Sequence, residues 1–272
     1  MAKKKIGIVG CGAIGSYLAK RVRSDLSGSA RLSAFCDLDN DKALKLSRCF
    51  RPTPAVVCFD RLVDLCDIVI EASAPESSFD FAEKALKKKK DIMLMSIAGI
   101  LDRSGRLFDL ARKKKARIIL PSGAICGLDA LKGAMMGGIK KVSLTTRKPP
   151  KGLKGAPFIE SNNIDLDSIA RETVIFEGPA SHAIRAFPKN INVSALLSIA
   201  GLGPKKTLVK IITSPEYQVN SHELSIEGDF GKIVCTAENA ACAENPKTSF
   251  FACLSAFSAL KQALDNYVKI GS

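Results

Sequence analysis

The chain has 272 residues, enough for one large domain or two ordinary ones. Its hydrophobic fraction of 46% is that of a globular protein, and no apolar run approaches the roughly 20 residues of a membrane-spanning helix, so no membrane partner is expected. The net charge of +14 lies wholly in residues 1–150, with 29 Lys and Arg against 15 Asp and Glu; residues 151–272 hold 12 of each. A nucleic-acid face is one reading of that excess. The densest runs, Lys87–Lys90 and Lys113–Lys115, instead end helical patterns, where cations complement the helix dipole. We therefore expect solvated helix ends, no nucleic-acid partner, and a positive field that favours small anions. Nine scattered cysteines without a C-x-x-C pair argue against a metal site and for a reducing, cytoplasmic setting. The charged N-terminus leads straight into a glycine motif and does not read as a signal peptide.

In chain order, "IGIVG" is a short apolar run of the buried parallel-strand kind, followed by Gly10, Gly12 and Gly15 in G-x-G-x-x-G spacing. Tyr17, Leu18 and Val22 continue at near-helical spacing, and "RLSAFCD" forms a second strand pattern ending at Asp37, 22 positions beyond Gly15. Strand, glycine turn, helix and distal acid in this order predict a dinucleotide site. The glycines would admit a pyrophosphate to the helix N-terminus and Asp37 would accept from the ribose hydroxyls. The alternation continues through "DIVIEAS", "SSFDFAEKALKKKK", "DIMLMSIAG", "GRLFDLARKKK" and "ARIILPSGA", which predicts a helix-covered parallel sheet of Rossmann type. Ligands on such sheets bind at the carboxyl ends of the strands. The predicted cofactor set is therefore Gly10, Gly12, Ala13, Ile14, Gly15, Asp37, Ser73 and Ala98.

After about Ala124 the pattern changes. "GLDALKGAMMGG" reads as a helix, "KKVSLTTRKPP" as a strand, and residues 151–168 as a loop. "ETVIFEG" is a strand, and "SHAIRAFPKNINVSALLSIAGLG" two helices interrupted at Pro188. "TLVKIITSP", "SHELSIEGDFG" and "KIVCTAEN" alternate like strands of an antiparallel sheet, and "KTSFFACLSAFSALKQALDNYV" is a long amphipathic helix. The expected division is a dinucleotide-binding domain over 1–124, onto which the helix of 246–272 packs back, and an α+β substrate and dimerisation domain over 125–245.

Only two histidines are present. His182 falls in the first turn of a helix and reads as a surface residue. His222, at a turn–strand junction, fits an ordinary half-exposed position and a proton-transfer role equally well. "RKPP", "PKNIN" and "NPKTS" place Arg147, Lys148, Lys189, Asn190, Asn192, Asn245, Lys247, Thr248 and Ser249 beside predicted elements, where they would hold carboxylates or cap helices. No G-x-S-x-G elbow is present, so acyl transfer has no support.

"GCGAIG", "LPSGAICGLDAL", "TTRKPP", "FPKNINVSALLSIAG", "NSHELSIEGDFG" and "NPKTS" occur in an order that resembles the L-aspartate dehydrogenase family over nearly the whole chain. The resemblance implies NAD- or NADP-dependent oxidation of L-aspartate to iminoaspartate, in reverse the amination of oxaloacetate. It also implies a supply of iminoaspartate to the quinolinate route to NAD, and a homodimer whose sheet comes from the second domain. It assigns the catalytic histidine to His222 and cofactor contacts to Ala124 and Asn192. The lysine-rich first domain and Ser122 depart from the family pattern without touching the chemistry. For the substrate carboxylates the candidates are Lys189, Lys247, Thr248 and Arg147. The alternatives are a homoserine- or dihydrodipicolinate-type enzyme on the same architecture, and a non-catalytic NAD-sensing regulator with a basic nucleic-acid face.

Overall fold

The computed structural model describes residues 2–188, 192–242, 245–265 and 267–268, and for 245–247 the backbone. Its contacts divide it into one unit of Met1–Pro121 together with Cys253–Lys269, and a second that contains Ser122–Ala252.

The first unit alternates strands and helices: β1 (Lys4–Val9), α1 (Ala13–Asp25), β2 (Ala30–Cys36), α2 (Asn40–Ser47), β3 (Ala55–Val56), α3 (Phe59–Leu65), β4 (Ile68–Glu71), α4 (Pro75–Lys87), β5 (Asp91–Leu94), α5 (Ser104–Lys114) and β6 (Ile118–Ile119). The strands form one parallel sheet in the order β3-β2-β1-β4-β5-β6, the doubly wound arrangement, and the expected Rossmann-type class holds. β1 and β4 are continuous apolar runs because both sheet faces are covered: Ile6, Ile8, Ile68 and Ile70 are almost fully enclosed. Leu18 and Val22 of α1 pack into the same core at helical spacing.

Residues 40–65, for which the sequence reading named no element, hold α2, β3 and α3. α2 is capped by Asp39, whose carboxylate accepts from the N–H groups of Asp41 (3.2 Å) and Lys42 (3.3 Å). The lysine runs sit at the C-terminal turns of α4 and α5; Lys88 pairs with Asp64 at 2.6 Å and Lys84 with Asp60 at 3.0 Å.

In the second unit, α6 (Leu128–Ala134), β7 (Ile139–Lys148), α7 (Pro157–Ser161), β8 (Thr173–Pro179), α8 (Ala180–Ala186), α9 (Asn192–Ala200), β9 (Thr207–Thr213), β10 (Asn220–Gly228), β11 (Gly231–Asn239), β12 (Ala241–Cys242) and β13 (Asn245–Ser249) follow; the last helix, α10 (Phe250–Leu264), belongs to the first unit from Cys253 onward. The five-stranded sheet runs β11-β10-β7-β9-β8. It is not wholly antiparallel as the alternation suggested, for β7 and β9 are parallel. The connection between them contains β8 and the helices α7, α8 and α9, long enough for β9 to return beside β7 in the same direction. The expected loop of 151–168 includes the short α7, and the expected terminal helix starts only at Phe250, because Asn245–Ser249 pairs with β12 instead.

Val142 and Leu144 of β7, Leu224 and Ile226 of β10, Leu131 of α6 and Leu197 of α9 form the core on one face of this sheet. Ala256, Phe257 and Leu260 of α10 belong to the core of the first unit. Among the described residues no helix is long and apolar enough to cross a membrane, and no cluster of three or more His, Cys, Asp or Glu side chains could hold a metal ion.

Candidate active site

In the first unit, small residues gather at the carboxyl ends of β1, β2, β4 and β5. Gly10 leaves β1 at φ +89°, and a Cβ there would stand 2.3 Å from the Ala72 carbonyl oxygen. A side chain is excluded twice, by conformation and by space. A Cβ on Gly15 would lie 1.9 Å from the Gly10 carbonyl oxygen, so the loop can fold onto α1 only with glycine there. Gly12 differs: a Cβ on it would meet nothing within 4 Å. It is the N-cap of α1 and supplies no side-chain cap, so the helix presents uncapped N–H groups at Ala13 and Ile14 beside open space. That is the geometry a pyrophosphate requires.

Asp37, directly after β2, accepts from the Cys11 N–H at 2.6 Å through Oδ2 and from the Asp39 N–H at 2.9 Å through Oδ1. The carboxylate therefore ties the end of β2 to the glycine loop, and lone pairs remain on both oxygens for ribose hydroxyls. The residues present fit a dinucleotide.

The next two strand ends are joined by Glu71, which the sequence reading missed. It is fully buried; Oε1 accepts from the N–H and hydroxyl of Ser73 (both 2.8 Å) and Oε2 from the Ser96 N–H (3.1 Å). The Ser96 hydroxyl donates to the Ser73 carbonyl at 2.7 Å. A buried carboxyl group with three donors holds both loops in place. Ala98 lies half-buried in the 3-10 turn that follows.

In the second unit, β7 and β10 pair with Thr146 opposite His222. Alternation sends Thr146 and Lys148 to the face that carries Val142 and Leu144, and His222 to the face of Leu224 and Ile226. The apolar rows of the core thus end in a polar trio. Thr146 Oγ1 and His222 Nδ1 are 2.9 Å apart, and both His222 and Lys148 are only 7% exposed. Burial, with the neighbouring Lys148 charge, lowers the His222 pKa to about 3. Burial alone lowers that of Lys148 to about 8.

Arg147, the carboxylate candidate by sequence, projects from the opposite face and pairs with Glu223 at 3.1 Å. Its neighbour Lys148, named with it but not chosen, stands with the histidine. The available signal was parity: Thr146 and Lys148 continue the Val142–Leu144 row.

His182 is exposed. Ala124 is buried and its carbonyl accepts from Asn239 Nδ2 at 3.0 Å; the Asn239 amide oxygen in turn accepts from the Ser249 hydroxyl at 2.8 Å. Asn239, another residue the sequence reading passed over, thereby links the Ala124 turn to the "NPKTS" strand. Asn192 opens α9 and is exposed, and Thr248 is half-buried on β13. Lys189 and Asn190, and the side chain of Lys247, lie outside the described residues.

Comparison with known proteins agrees with both units. Residues 129–263 match the family model "Aspartate dehydrogenase, C-terminal", and residues 10–121 match "Homoserine dehydrogenase, NAD binding domain". The chain is 41% identical to the L-aspartate dehydrogenase of Methanosarcina mazei over 98% of its own length and 99% of that protein's. It is 38% identical to the L-aspartate dehydrogenase of Nitrosopumilus maritimus, over 99% and 100%. The crystal structure of aspartate dehydrogenase from Thermotoga maritima superposes with a TM-score of 0.73 at 23% identity, covering 99% of this chain and all of that one. A homoserine dehydrogenase from Thiobacillus denitrificans shares the fold at a TM-score of 0.65 and 13% identity, with 97% of this chain and 74% of that one covered.

Proposed function

The chain belongs to the L-aspartate dehydrogenase family, and from that premise we propose that it oxidises L-aspartate to iminoaspartate with NAD or NADP, or runs the reverse amination of oxaloacetate. The observation that carries the site assignment is the buried Thr146–His222–Lys148 array, set in a protein whose glycine loop leaves open space at Gly12. Residues 1–124, with the C-terminal helix, form the cofactor domain in this reading, and 125–245 the substrate domain.

A nicotinamide held by the first unit would supply the acceptor for the hydride of aspartate Cα. Everything else falls to the chain. Gly10, Gly12, Ala13, Ile14 and Gly15 would hold the pyrophosphate by backbone N–H groups and Asp37 the ribose, with Ser73, Ala98, Ala124 and Asn192 as the further candidates for cofactor contact. The substrate amine must lose a proton before its Cα can release hydride. His222 receives it at Nε2, the ring nitrogen not engaged by Thr146; in that role Nδ1 carries the ring proton and the Thr146 hydroxyl, 2.9 Å away, accepts from it. Lys148 supplies the cation for one substrate carboxylate, with Lys189, Lys247 and Thr248 as candidates for the other. The low pKa of His222 keeps the imidazole neutral and ready to accept. A dicarboxylate beside it offsets the Lys148 charge and strengthens it as a base when substrate is present.

The chemistry is tested by mixing the protein with oxaloacetate, ammonia and reduced cofactor and following loss of nicotinamide absorbance. Oxidation of the cofactor that requires both oxaloacetate and ammonia is the expected result. Turnover with a homoserine- or dihydrodipicolinate-type substrate instead would overturn the substrate assignment.

The proposed assembly is a homodimer through the second unit's sheet. It is supported by the face opposite the core, where Val174 and Val234 are about half exposed. The nine free thiols support a reducing, cytoplasmic setting, and a supply of iminoaspartate to NAD synthesis is the matching use of the product.

A further inference from the structure

The geometry points to a second anion-binding site on the first unit, at the amino ends of its strands, built to take a compact organic anion with one phosphate or carboxylate group on a single apolar ring.

A cavity of about 230 Å³ opens there, lined by Val22 and Arg23 of α1, Ser27 and Ala30, Arg31 and Leu32 of β2, Lys3 before β1, and the Phe50-Arg51-Pro52 segment after α2. Its floor is apolar, because Val22, Leu32 and Phe50 are core residues whose edges it uncovers. Its rim is cationic: Lys3, Arg23, Arg31 and Arg51 all border it, all are exposed, and among the described residues no acidic side chain lines it. Arg51 is anchored by Nη1, which donates to the carbonyls of Phe50 (2.8 Å) and Arg48 (3.1 Å), leaving its other nitrogens for a ligand.

Four like charges around one opening repel one another, and an anion that bridges them relieves that repulsion. Helix-end placement accounts for Arg23 alone, which lies in the last turn of α1; Arg31 is on a strand and Lys3 precedes one. The edge of β2 is also open here, since β3 pairs only with Ala34 and Phe35, so the first half of β2 has no strand on its outer side among the described residues. An apolar floor, a cationic rim and an open backbone edge together suit a ring that carries an anionic group. The volume lies below the roughly 300–1,000 Å³ of ordinary ligand pockets, which limits the occupant to about one ring.

The site is separate from the dinucleotide cradle. Six residue steps of β2 separate Ala30 from Cys36, which at roughly 3.3 Å per residue is about 20 Å. α1 runs between the two, with Gly12 at its N-cap and Arg23 in its last turn.

Phenyl phosphate is the probe, titrated into the full chain held in saturating NAD and followed by the methyl resonances of Val22 and Leu32. Saturable shifts at these methyls are expected, with binding at least tenfold tighter than that of inorganic phosphate. The double variant Arg23→Gln/Arg31→Gln should weaken phenyl phosphate at least tenfold while keeping its thermal midpoint, since both side chains are exposed. Arg31→Lys should retain part of the affinity. Absence of saturable shifts, equal binding of inorganic phosphate, or affinity unchanged in the double variant would each overturn the site. Because the resonances belong to the cavity floor, the result stands apart from the cofactor reading. Failure of NAD to bind would show as absent shifts around Gly12 and Asp37, whatever happens at Val22.

Discussion

At the scale of the residue, the clearest consequences attach to His222, Thr146, Lys148 and Asp37. General acid–base groups contribute roughly 10²–10⁴-fold. His222→Ala should therefore lower kcat by about that factor while cofactor affinity, measured by fluorescence titration, stays close to wild type. His182→Ala is the control and should be neutral, because that side chain is exposed. Normal turnover by His222→Ala across a full pH profile would transfer the proton role to Lys148, Lys189 or Lys247. Thr146→Val removes the hydroxyl 2.9 Å from His222 Nδ1 but keeps the volume. Loss of kcat with little change in KM is expected, and Thr146→Ser should restore most of it; an equal loss in both variants would mark Thr146 as packing only. Lys148→Met keeps a long apolar stem without the charge. It should raise the KM for aspartate at least tenfold, whereas Arg147→Met, on the opposite face, should leave KM within about twofold. The reverse pattern would return Arg147 to the substrate. Asp37 would meet the 2′-phosphate of NADP with a like charge, so NAD is the expected preference and Asp37→Ser should shift the ratio of kcat/KM values toward NADP.

At the scale of the element, the loop between β1 and α1 separates two uses of glycine. Gly10→Ala drives a Cβ to 2.3 Å from the Ala72 carbonyl at a positive φ, so the cost falls on the fold itself. A clear drop in thermal midpoint is expected even without cofactor. Gly12→Val places its side chain in open space, so the apo protein should melt within a few degrees of wild type while NAD binding is lost. Equal destabilisation by the two substitutions would make the loop a structural corner and nothing more. The polar trio teaches the same lesson about strands: β7 carries two unlike faces, and only parity separates Lys148, beside His222, from Arg147, paired with Glu223.

At the scale of the whole molecule, the buried imidazole links stability to pH. The folded pKa of His222 is about 3, against an ordinary 6.5. Between those values the unfolded chain binds the proton and the folded chain does not, so stability falls as pH falls. The contribution is complete above about pH 6.5 and declines by about 1.4 kcal/mol per pH unit below it, or about 2 kcal/mol by pH 5. Urea unfolding at pH 7, 6 and 5 should show this slope in wild type and a flatter one in His222→Asn. Parallel slopes would mean that the imidazole is not buried as the fold places it.

Features carried by local pattern are legible in the chain alone. The Rossmann-type sheet was legible because its buried strands are unbroken apolar runs and its helices end in lysines. The glycine loop was legible because three glycines and Asp37 keep a fixed spacing, and the family was legible from six motifs in order. What the chain did not disclose depends on residues distant in sequence. The short elements between residues 40 and 65 are too brief for periodicity to register, and β3 exists only because β2 offers it an edge. The parallel pairing of β7 with β9 depends on where a long connection returns, which no local pattern encodes. Glu71 became a fixed point only when Ser73 and Ser96 were brought to it. Lys148 was chosen over Arg147 by the register that sets Thr146 against His222 across 76 positions of sequence, because a strand's two faces acquire different chemistry only when a helix layer covers one of them.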